Sequence, residues 1–182
     1  MLPLGSKITS ETLWLGTSIL AAIDALFVPI LVWRINSAAF RRIKWTLVVT
    51  SAIFWSSLWT WALVTFWDSI YHYVFPVWTR WLIPPTFGLL YAGMSLLFWW
   101  LALRLPGNVV ANFCLLGGLW GMTTHLFAVS IGIVTKPPVL QGAAPSAAVI
   151  FAIFEFMFYW CIILTLAVLL HHGWRKLRHV SV

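Results

Sequence analysis

Asp24, His125, Glu155 and Tyr159 each stand inside a long apolar run. A charged group at the centre of a membrane helix costs about 2.5–3.5 kcal/mol on insertion scales, so such residues read first as functional candidates. A carboxyl group beside an imidazole can share or pass on a proton, which serves acid–base catalysis, proton transfer or cation binding. Tyr159 follows Glu155 by four residues, and Thr17 precedes Asp24 by seven. Either spacing puts both members on one helix face, where the hydroxyl can supply a hydrogen bond. Nearby Trp, Tyr and Phe rings would form an apolar wall able to stabilise developing positive charge.

That inventory suits a cofactor-free membrane enzyme that isomerises or cyclises a lipophilic, isoprenoid-like substrate. Glu155 or Asp24 would donate the proton, with His125 as its partner and Tyr159 beside Glu155. Two other readings use the same residues. In one they are relay stations of a proton-coupled transporter or conductance protein. In the other they pair with helices of further subunits, and the chain is a noncatalytic part of a larger membrane complex. Enzyme and non-enzyme therefore both stand at this point.

Other chemistries lack their residues. Cys114 and Cys161 form no Cys-x-x-Cys pair, so they read as small apolar residues rather than a redox centre. His125 is the only central histidine, which leaves no pair of axial haem ligands within the chain. Asp68 and His72 are too few for a metal site. No Gly-x-Ser-x-Gly, His-Glu-x-x-His or phosphate-loop sequence is present. The expectation is no cofactor and no metal.

The elements that must hold these side chains follow from composition. Of 182 residues, 62% are hydrophobic and 8% charged, against about 25% charged in soluble domains. That excludes a soluble enzyme and a disordered chain, and leaves an integral membrane protein. Five stretches approach or exceed the ~20 apolar residues a membrane helix needs: 12–33, 45–66, 82–103, 109–134 and 148–170. Their continuity predicts helices rather than alternating barrel strands. Short links carry Asn36-Ser37, Pro84-Pro85, Pro106-Gly107-Asn108 and Pro137-Pro138, so consecutive helices should be antiparallel neighbours. The expected architecture is all-α: a polytopic, single-domain bundle of five transmembrane helices with a short basic tail.

Eight basic residues (Arg34, Arg41, Arg42, Lys44, Arg104, Arg175, Lys176 and Arg178) fall on one side, and Lys7, Arg80 and Lys136 on the other. This asymmetry predicts an outside N-terminus and a cytoplasmic C-terminus. The first span is too long for a secretory signal, contains Asp24 and should be retained. Many of the fourteen tryptophans lie near span ends, as an interfacial belt requires. The basic loop and tail favour anionic lipid over nucleic acid. Partners are therefore membrane lipid, a lipophilic small molecule or other membrane subunits.

Counted from the outer span ends, Asp24 lies about 18 Å deep, His125 about 14 Å and Glu155 about 10 Å. Those depths let the three converge in one interior pocket. Thr46, Thr50, Ser57 and Thr60 form an approximate polar stripe on the second span, while Gly117, Gly118 and Gly121 offer a close-packing surface on the fourth. The aromatic segment 67–78 reads as an interfacial anchor or a lid over an opening between helices.

Overall fold

Continuous apolar runs satisfy their backbone groups internally by coiling, and the computed structural model is helical wherever such a run occurs. It describes residues 10–66, 72–73, 81–130, 134–135 and 144–180. Six helices lie among them: α1 (Ser10–Arg34), α2 (Ser37–Arg42), α3 (Trp45–Phe66), α4 (Ile83–Ala102), α5 (Val109–Ser130) and α6 (Pro145–Val180). A two-residue antiparallel bridge joins β1 (His72–Tyr73) to β2 (Val134–Thr135), with His72 opposite Thr135. The rest of the proposed lid segment lies outside the described residues.

α1, α4 and residues Ser146–Gly173 of α6 are long and apolar enough to cross a membrane, and α5 contributes a shorter apolar stretch, Val109–Thr123. α3 has comparable length, but four tryptophans and several Ser and Thr residues dilute its apolar character. The helix bounds differ from the apolar runs mainly at two ends. α5 stops at Ser130 and Val134 turns into the bridge, while α6 continues through the basic tail to Val180. Pro84 and Pro85, expected in a link, instead occupy the first turn of α4, where proline's missing N–H costs nothing.

α2 is an addition to the expected five. Asn36 starts it by accepting a hydrogen bond from Ala39 N at 2.8 Å, the usual way of satisfying an orphan N–H at a helix start. Its Phe40 is completely buried, stacks on Trp99 with ring centroids 4.1 Å apart and meets Phe113 edge-on. Between α4 and α5 the chain reverses at Gly107, whose φ of 96° suits glycine. Asn108 then caps α5, accepting from Val110 N at 2.9 Å and Ala111 N at 3.2 Å.

Contacts fix how the helices run. Ser10 meets Ala144, Gly16 meets Phe151 and Phe27 meets Phe158, so α1 and α6 are parallel. Cys114 meets Cys161 and Gly121 meets Phe156, so α5 and α6 are antiparallel. α3 runs against α4, with Ser57 Oγ donating to Pro84 O at 3.3 Å and Gly88 lying against Ile53. α6 is the hub: α1, α3 and α5 all pack on it, while α1 and α3 hardly touch each other.

The glycine surface on α5 works as a close-packing face. A Cβ at Gly117 would run into the Trp160 ring and one at Gly121 into the Phe156 ring, while at Gly118 it would lie 3.0 Å from Ile153 O. Small residues permit this approach in a membrane, where dispersion and packing rather than exclusion of water hold helices together.

Candidate functional site

α1 turns one stripe inward: Leu13, Thr17, Asp24 and Leu31 are its buried residues. The spacing of seven that links Thr17, Asp24 and Leu31 is nearly two helical turns, so they stack on one line. Asp24 is 1% exposed and Thr17 5%. Among the described residues, neither Asp24 carboxyl oxygen nor Thr17 Oγ1 has a hydrogen-bond partner. On α5 and α6 the Cys161 thiol donates to Cys114 Sγ at 3.4 Å, and both cysteines are fully buried. Neither sulfur hydrogen-bonds to Asp24.

Glu155 occupies another position. Helix geometry turns successive residues by about 100°, which sets Glu155 between the Phe151–Phe158 line and Tyr159 on α6. Phe151 and Phe158 meet α1, whereas Tyr159 meets Trp55 of α3 and Tyr91 of α4 at ring centroid distances of 6.0 and 5.2 Å. Glu155 thus lies on the α6 face between its contacts with α1 and with α3, and it is partly exposed. Tyr159 carries its hydroxyl toward Ser56, although Ser56 Oγ closes no full hydrogen bond.

An aromatic cluster backs this face. Trp160 stacks on Tyr91 with centroids 5.5 Å apart and meets Phe98 and Phe113 edge-on at 4.9 and 5.6 Å. Trp55 stacks on Trp59 at 5.9 Å. These rings offer both flat faces and edges within one bundle, and the faces attract positive charge.

The arrangement keeps Glu155 and Tyr159 on one face of α6, while Asp24 lies on the buried stripe of α1 and hydrogen-bonds to none of the described residues. His125 belongs to α5 by its backbone, and its side chain lies outside the described residues. The α5–α6 register puts it level with Phe151, about one turn from Glu155. The order along the bundle is therefore Asp24, Glu155, His125, whereas span-end counting puts His125 in the middle. Asp68 also lies outside the described residues.

The supposed α3 stripe divides. Thr46 and Thr50 are exposed, with Thr50 Oγ1 bonded back to Thr46 O at 2.9 Å. Ser51, Ser56 and Thr60 are the buried polar residues of that helix. Sequence reasoning missed the cysteine pair because its members come from different helices. The glycines beside Cys114 were the available signal, since they mark the α5 face that approaches another helix. Among the described residues no group of three His, Cys, Asp or Glu side chains is arranged to hold a metal ion. Comparison with protein-family models, with curated proteins and with solved structures finds no match to this chain.

Proposed function

We propose that the chain is a five-span membrane protein, N-terminus outside and C-terminus cytoplasmic, that takes a lipophilic substrate from the bilayer into the crevice between α1 and α3. Glu155 is the acid. It transfers its proton to an alkene carbon of an isoprenoid-like substrate, and the cation that forms is held against the faces of Trp55, Trp59 and Tyr159. The carboxylate left behind takes a proton from a neighbouring carbon, so the product is an isomer or a ring of the same composition. Tyr159 positions the carboxyl group, and His125 exchanges its proton with the outer interface. Asp24 is not required for this step.

The observation that carries the reading is the partly exposed Glu155, one turn from Tyr159, at the mouth of an aromatic cluster. A purely structural carboxyl group has no need of access to the lipid side. Protonation by a positioned acid contributes about 10²–10⁴-fold to rate. The test is deuterium uptake: membranes holding the full chain are incubated in D2O with a panel of isoprenoid lipids, and the lipid fraction is analysed by mass. Wild type is expected to introduce deuterium at carbon, and Glu155→Gln to lose that uptake. Equal uptake by both would remove the mechanism.

A further inference from the structure

Cys114 and Cys161 are 47 residues apart in the chain, yet their sulfurs lie 3.4 Å apart across the α5–α6 contact. Both thiols are free and fully buried. A disulfide holds its sulfurs at about 2.05 Å, so a closure of about 1.4 Å separates this pair from a covalent link. Gly117 and Gly118, one turn from Cys114, already bring the two helix backbones close. Both cysteines belong to one buried core cluster with Phe113, Trp160 and Leu164.

We infer that Cys114 and Cys161 form an oxidisable dithiol within the bundle, with a small uncharged peroxide as its oxidant. The site is independent of the crevice around Glu155. Full burial keeps out charged or bulky thiol reagents, whereas a peroxide of nearly water size can enter. One sulfur attacks a peroxide oxygen. The O–O bond breaks, leaving a sulfenic acid, and the departing hydroxide takes that thiol's own proton to become water. The second sulfur then attacks the first: the S–S bond forms, the S–O bond breaks, and the departing hydroxide takes the second thiol proton. In balance, two thiols and one hydrogen peroxide give one disulfide and two waters.

The test counts thiols on the full chain in native membranes or nanodiscs. After hydrogen peroxide treatment, the protein is unfolded in detergent and tagged with a maleimide polymer. Before oxidation it should carry two tags. Afterwards it should run as a single chain with none and regain both on reduction, while oxidised glutathione leaves both tags in place. Two tags surviving peroxide would overturn the proposal, as would tags lost only in a linked dimer or never restored by reductant. Equal oxidation by glutathione disulfide would overturn the choice of oxidant.

Discussion

The two sides of the α1–α6 contact treat a carboxyl group in opposite ways. On one side Asp24 is fully buried on the inward stripe of α1 and lacks a hydrogen-bond partner among the described residues. On the other Glu155 is partly exposed on the α6 face between α1 and α3, one turn from Tyr159 and its ring cluster. Burial alone therefore does not make two intramembrane acids equivalent. The buried side admits only what is nearly as small as water, and the partly exposed side can receive something larger.

Four substitutions, with Gly93→Ala as a control, break or sharpen that contrast. Glu155→Gln has the largest expected effect, lowering deuterium transfer to lipid by about 10²–10⁴-fold while leaving the cysteine pair oxidisable. Gly121→Val comes next. Its methyl groups meet the Phe156 ring, and overpacking of this kind costs about 1–3 kcal/mol or more. The melting temperature in detergent should drop, whereas Gly93→Ala, which has open space around it, should hold or raise it.

Asp24→Leu keeps the branching of the side chain in carbon and removes two unpartnered oxygens, so thermal stability should rise by about 1–3 kcal/mol. A fall would reveal a partner for the carboxyl group and weaken the contrast. Asn108→Ala is the smallest of the four. It removes the cap at the start of α5 and should cost about 1 kcal/mol in a denaturation curve, with deuterium transfer by Glu155 unchanged.

Helix formation was legible because each long apolar run must satisfy its own backbone in a membrane, and the ends of α3 and α4 fall close to the residues the pattern names. The inward face of α1 was legible too, since Thr17 and Asp24 share the seven-residue spacing and are both buried. The place of Glu155 was not. Its spacing to Tyr159 says that they share a face, but only the packing of α1 and α3 says that this face lies between them. α2 escaped notice because six residues carry too little periodic signal; its cap at Asn36 and the burial of Phe40 emerge only in three dimensions. Likewise, no local spacing rule links residues 47 apart, so the thiol contact depended on the register of α5 against α6.

The hub position of α6 has a consequence for biogenesis. A ribosome delivers helices in order, and α6 is synthesised after α1, α3 and α5, all of which rest on it. Until it emerges, α1 has only its smaller contact with α5, and the glycine face of α5 has nothing to receive. Final assembly therefore waits for the last helix, whatever order the earlier ones form in.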